Sequence, residues 1–154
     1  AHAGFHAMNA CRVEKGYKHF GHDIGDEINP FQSGLGFAVD MSKPDFIGKS
    51  SLVGKQKDYQ NRLVNIAVDD KDAPLLLHDE PIYCDNELVG ITTSGMWGHR
   101  VERSLGIAML SNADGVSRGY IESHDFQIEV AGKRYPLDVQ LAPFYDPSSA
   151  RMKR

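Results

Sequence analysis

The sequence predicts an α+β chain: an incomplete α/β segment over residues 1–58, then a small antiparallel β-barrel or jelly-roll-like domain over 59–154. Three observations carry this. Phe5, Met8 and Cys11 recur at three-residue spacing ahead of Gly16, the pattern of a helix with one apolar stripe and a glycine stop. The character of the chain then changes near Lys57 to Asn61, where a polar stretch separates helical spacing from a succession of short β-like runs. Those runs, seven of them in about ninety residues and divided by turn-rich stretches, suit a barrel or sandwich better than a layered sheet.

Taken in order, the helix ending at Gly16 needs a sheet or a second helix to cover its stripe. Residues 21–34 are crowded with Gly, Asp, Asn, Pro and Ser, a loop composition in which Pro30 also pushes Asn29 out of the helical region. An ordered loop of that length is commonly functional or packed on a neighbouring element. Leu35 to Met41 alternates in a strand-like way, and Asp45 to Lys57 reads as a short helix running into a linker. The β-like runs are Leu63 to Val68, Ile82 to Cys84, Leu88 to Thr93, Ser104 to Leu110, Gly119 to Ile121, Phe126 to Val130 and Tyr135 to Leu141. Asp85-Asn86 and Ala131-Gly132-Lys133 are the sharpest turn signals between them.

Composition excludes several functions. With 154 residues, 41% hydrophobic and 25% charged, the chain is of ordinary globular make-up. Its net charge of -4 is spread along the chain, so it offers no basic stripe to nucleic acid. Apolar runs such as Leu75-Leu76-Leu77 fall far short of the roughly 20 residues needed to span a bilayer, so no membrane role is expected. Cys11 and Cys84 are far apart and lack neighbouring ligands, which argues against a disulfide framework or a zinc site. No secretion or transit signal is readable at the start of the chain.

The local motifs fail as self-contained sites. Gly48-Lys49-Ser50 ends like a phosphate-binding loop, but Lys43 stands where the first glycine of that loop belongs. Gly34-Leu35-Gly36 begins like a dinucleotide fingerprint, and Val39 replaces its third glycine. His19, His22 and Asp23 sit together beyond the end of the helix, without the i,i+4 geometry of a helical metal pair, and read as a polar loop bonding to its own backbone. No nucleophile elbow occurs, and neither cysteine has a basic setting. No catalytic residue is assigned.

The stretch from Arg12 to Phe37 resembles a known family. It runs Arg12-Val13-Glu14-Lys15-Gly16-Tyr17-Lys18-His19-Phe20-Gly21-His22-Asp23, then Asn29-Pro30-Phe31-Gln32-Ser33-Gly34-Leu35-Gly36-Phe37. It is similar to the later part of the folate-binding domain of the glycine-cleavage T-protein (aminomethyltransferase) superfamily, above all the branch fused to dimethylglycine and sarcosine dehydrogenases. Further pieces follow in family order: Phe46 to Lys49, Glu80 to Ile82, Val89 to Gly95, and the ending Pro143-Phe144-Tyr145-Asp146-Pro147. Two departures matter. Met8 occupies a position where T-proteins carry an Arg, and Gln32 replaces the Glu usual in the demethylating branch.

The resemblance implies a chain that starts inside a folate-binding domain, a fragment whose catalytic half lies upstream. The parent protein would oxidise an N-methyl amine with FAD in a separate upstream domain and pass the one-carbon unit to tetrahydrofolate. The alternatives are a glycine-cleavage aminomethyltransferase and a non-catalytic folate-binding or scaffold module. The folate-binding residues implied here are Tyr17, Trp97 and Tyr145, each with a plainer reading. Tyr17 stacks on a ring of the folate or covers the helix end; Trp97 belongs to a loop of Thr93, Ser94 and Gly95 closing over the folate tail or to the core; Tyr145 reaches the cleft or pins the C-terminus. Arg12 and Glu14 are expected to fix the helix to its neighbours. The implied partners are the N-terminal part of the same protein, a small-molecule folate, and a second copy drawn to the uncovered helix. The implied location is the bacterial cytoplasm or the mitochondrial matrix.

Overall fold

Strands rich in β-branched residues and joined by two-residue turns leave two sheet edges unless they close, and here they close. The computed structural model describes residues 2–57, 59–70, 72–151 and 153. Six antiparallel strands, β1 (Asn61–Val68), β2 (Pro81–Cys84), β3 (Glu87–Gly98), β4 (Arg103–Ser111), β5 (Phe126–Val130) and β6 (Lys133–Gln140), form a closed barrel in the order β1-β4-β3-β2-β5-β6. The ring is completed where β6 pairs with β1, with Ile66 opposite Val139. Both expected hairpins form. Asp85 and Asn86 take φ of 50° and 67° between β2 and β3, and Ala131 and Gly132 take 51° and 77° between β5 and β6, so each turn has two residues and Lys133 already belongs to β6.

The side-chain period of two sorts β1 into two faces. Val64, Ile66 and Val68 point inward and join Leu76, Ile82, Leu110, Phe126, Ile128 and Leu137 in the barrel core. Ala67 points outward and meets Val13 and Leu105 in a second, smaller cluster. That cluster seats α1 (Phe5–Glu14) on the outside of β3 and β4. Gly98 allows the close approach: a Cβ there would lie 2.5 Å from Leu105 Cδ1 and 3.1 Å from Glu14 Oε1.

Four expectations need correction. Gly119 to Ile121 is not a strand but part of α3 (Arg118–Ser123); Ser117 caps that helix by accepting the Tyr120 N–H at 3.1 Å, and Ile121 alone of its residues is buried. Leu35 to Met41 contains a 3-10 turn at Gly36–Ala38 and no strand; no neighbouring strand pairs with it, and Phe37 stands 87% exposed. The helix expected over Asp45 to Lys57 shrinks to one turn, α2 (Lys49–Leu52), followed by a 3-10 turn at Lys55–Lys57. On α1 the stripe of Phe5, Met8 and Cys11 faces outward, and the buried residues are Asn9, Ala10, Val13 and Glu14.

Candidate functional site

Two of the four buried residues of α1 are polar, and such burial holds only where hydrogen bonds replace water. Glu14 Oε1 accepts the backbone N–H groups of Arg100 at 2.5 Å and Val101 at 3.1 Å, fastening the helix to the β3–β4 turn. Asn9 Oδ1 accepts from Arg12 Nε at 2.8 Å. Arg12 then reaches in three further directions, to Ser94 Oγ on β3 at 2.8 Å, to Asp23 Oδ2 at 2.6 Å and to Tyr17 O at 3.3 Å. Asp23, 1% exposed, also takes the His19 N–H at 2.7 Å and the Thr93 hydroxyl at 2.6 Å. One carboxylate thus ties the helix, the loop after it and the middle of β3. Arg12 and Glu14 fix the helix, as the sequence suggests.

The chain turns sharply at the end of α1, at Gly16 with φ of 67°. The C-terminal segment runs back over this turn, with Tyr145 N–H donating to Glu14 O at 3.2 Å and Lys15 Nζ lying 3.3 Å from Asp146 Oδ2. Burial pushes the Asp146 carboxyl up, but the Lys15 hydrogen bond and charge, with N–H groups from Arg151 and Ala150, together hold it below its ordinary value. Between α1 and this segment lies a cleft of about 510 Å³, lined by Met8, Cys11, Tyr17, Arg100, Tyr145 and Arg151 among others. Met8 and Cys11 of the α1 stripe supply its floor. Tyr17 and Tyr145 flank it, and the Arg151 guanidinium sits 5.7 Å from the Tyr145 ring centre.

The three residues singled out from sequence therefore separate. Tyr17 and Tyr145 share one cleft. Trp97 lies apart, 37% exposed near the end of β3, opposite Ser104 of β4. Thr93, Ser94 and Gly95 do not form a closing loop: they lie within β3, at a bulge between Thr92 and Ser94, where Thr93 and Ser94 bond to Asp23 and Arg12. His19 and His22 stack with ring centres 4.7 Å apart, and among the described residues no group of three His, Cys, Asp or Glu side chains could hold a metal. Sequence reasoning missed Arg100 and Arg151, which enter the cleft from the β3–β4 turn and the C-terminus. Neither lies in a motif; the clustering of Arg100 with the family-like Glu14 is visible only in three dimensions.

A second cleft, of about 460 Å³, opens on the other side of Tyr17. Ile24, Leu35, Phe37, Pro143 and Pro147 give it apolar walls, and Lys18 projects among them. Burial lowers the Lys18 pKa, and the Asp23 charge offsets this in part.

Set beside known proteins, this arrangement has relatives. The glycine cleavage T-protein C-terminal barrel domain matches residues 61–146. The chain belongs to that family. In keeping with T-protein organisation, the GCVT N-terminal domain matches residues 1–43. The 4-methylaminobutanoate oxidase (formaldehyde-forming) of Paenarthrobacter nicotinovorans is 41% identical over 98% of this T-protein-family chain, which spans 18% of the oxidase. Mitochondrial dimethylglycine dehydrogenase of Mus musculus is 32% identical over 98% of the chain and 17% of its own length. An aminomethyltransferase of Synechococcus sp. (strain CC9902) is 31% identical over 94% of the chain and 38% of its own length. The aminomethyltransferase T of Bartonella henselae shares the fold, with a TM-score of 0.76 at 20% identity over 92% of the chain and 38% of that structure. Among the described residues no helix is long and apolar enough to cross a membrane.

Proposed function

We propose that these residues form one wall of a tetrahydrofolate site in a one-carbon enzyme of the dimethylglycine and sarcosine dehydrogenase type. The observation that carries the reading is the cleft between α1 and the C-terminal segment. Its apolar floor of Met8 and Cys11, its two tyrosines and its arginines Arg100 and Arg151 suit a flat aromatic ligand with polar edges. Identity to the oxidase at 41%, against 31% to the aminomethyltransferase, supports the demethylating branch, as does Met8 in place of an arginine.

In this reading the whole protein oxidises an N-methyl amine with FAD held in an upstream domain, and tetrahydrofolate accepts the released one-carbon unit. The residues in hand bind and orient the folate. They supply neither the redox centre nor a catalytic base. Their partner is the N-terminal part of the same protein, which covers the outward face of Phe5 and Met8. Where that part is missing, a second copy of the chain takes the same face. The location is the bacterial cytoplasm or the mitochondrial matrix, the mitochondrial setting being that of the mouse dehydrogenase relative.

The test is made on the full-length protein. Flavin reduction by an N-methyl amine, with methylene-tetrahydrofolate formed in place of free formaldehyde when tetrahydrofolate is added, supports the proposal. Ammonia release from an aminomethylated carrier protein without flavin chemistry would replace it with the aminomethyltransferase reading. Folate binding with no turnover of either kind would leave a binding or scaffold module.

A further inference from the structure

The cleft beyond Tyr17 contains a cation that the described residues leave under-coordinated. The Lys18 ammonium has three N–H donors, and its one hydrogen-bond partner among the described residues is Gly16 O, at 2.8 Å. The other cation on the same wall, Lys15, is committed to Asp146. Asp23 attracts Lys18 from a distance but is already filled by Arg12, the His19 N–H and Thr93. The approach to the ammonium is open on one side because Gly34 lies there with φ of 75°; a Cβ at that position would be 4.0 Å from Nζ. A half-buried ammonium in an apolar cleft with unused donors is a site for an anion, whose arrival supplies charge-assisted hydrogen bonds.

The cleft's form narrows the ligand. Its walls of Phe37, Leu35, Pro143 and Pro147 favour an aromatic or aliphatic body rather than a small inorganic ion. It also shares Lys15 and Tyr17 with the first cleft, so the two meet along the Tyr17 side chain. We propose that Lys18 anchors a second subsite that takes the carboxylate end of an aromatic ligand lying past Tyr17. Where that ligand is a folate, the carboxylates are those of its glutamyl tail, and this last step rests on the folate reading above.

The experiment is calorimetric titration of the full-length protein with p-aminobenzoylglutamate and with its diamide, which has the same shape without the charge. The wild type is expected to bind the dicarboxylate about tenfold more tightly, the value of one charge-assisted hydrogen bond in a partly dry site. Lys18→Met removes the preference, and Lys18→Arg, which keeps the charge, retains it. Equal binding of the two probes by the wild type, or a preference that survives in Lys18→Met, overturns the proposal. The folate reading is tested separately with pteroate, which has no glutamate. A Lys18-dependent carboxylate preference without Tyr145-dependent pteroate binding leaves the subsite standing and removes the folate reading. The reverse pattern does the opposite.

Discussion

Replacing Asp23 with Ala should destabilise the fold more than any exposed substitution in the chain. The Asp23 side chain is 0% exposed and that of Arg12 14%, and their 2.6 Å contact is an ion pair almost wholly withdrawn from water. Removing the carboxylate takes the counter-charge from the guanidinium, the acceptor from the His19 N–H and one of two acceptors from the Thr93 hydroxyl, leaving Nη1 only Tyr17 O at 3.3 Å and Thr93 only Ile107 O at 3.1 Å. Breaking a buried pair by deleting one partner costs about 3–5 kcal/mol, a large share of the roughly 5–15 kcal/mol that holds a domain folded. Urea unfolding of the wild type, Asp23→Ala, Arg12→Met and the double variant measures it. The double variant carries no orphaned charge, so it should lose less than the sum of the singles, with a coupling of about 2 kcal/mol or more. That coupling should change little between low and moderate salt, because buried pairs are poorly screened. A loss under about 1 kcal/mol for Asp23→Ala, or additive singles, would refute the claim that this carboxylate joins the helix, the loop and β3.

Gly16→Ala should destabilise by about 1–3 kcal/mol in the same assay, because φ is 67° there and the new Cβ would lie 2.7 Å from Asn65 Oδ1. At alkaline pH, burial and its hydrogen bond with Cys84 push Tyr120 from 10.0 up to about 12. Its contribution to stability is therefore complete below pH 10 and is lost as pH rises toward 12, so Tyr120→Phe should flatten that part of the stability profile relative to wild type. Burial also raises the Cys84 thiol, so iodoacetamide at pH 8 should label exposed Cys11 and spare Cys84 until the protein unfolds, as read by mass spectrometry. Tyr17→Ala and Tyr145→Ala should each weaken tetrahydrofolate binding by the full-length protein about 2- to 10-fold, the range of one aromatic contact, as read by calorimetric titration.

The barrel was legible in the sequence because each strand carries its own signal. Two-residue turns at Asp85-Asn86 and Ala131-Gly132 set the register of two hairpins, and in β5 buried Phe126 and Ile128 alternate with exposed Gln127, sorting core from surface without reference to any other element. The errors fall where local pattern and tertiary outcome part. Gly119 to Ile121 is too short for periodicity to separate strand from helix, and the deciding group is a single cap, Ser117. Leu35 to Met41 alternates as a strand should, but no neighbour offers it a ladder, so its backbone turns instead. Of the candidate site, Tyr17 and Tyr145 were found through resemblance. Arg100 and Arg151 were not, since residues that meet across 80 or more positions leave no local trace.

The α1 stripe shows the same limit in its sharpest form. A three-residue apolar spacing states that one helical face prefers to leave water; it does not state which neighbour receives that face. Here the barrel receives the opposite face, because Glu14 finds two backbone N–H groups, Asn9 finds Arg12, and Gly98 lets the helix come close. Those bonds offset the burial of polar side chains, and every one of them except Asn9 to Arg12 joins residues far apart in sequence. With its polar face held on β3 and β4, the helix has no choice but to present Met8 and Cys11 to the cleft. The residues that first read as core are therefore the apolar floor of the candidate binding site, and the residues that read as a polar surface are what hold that floor in place.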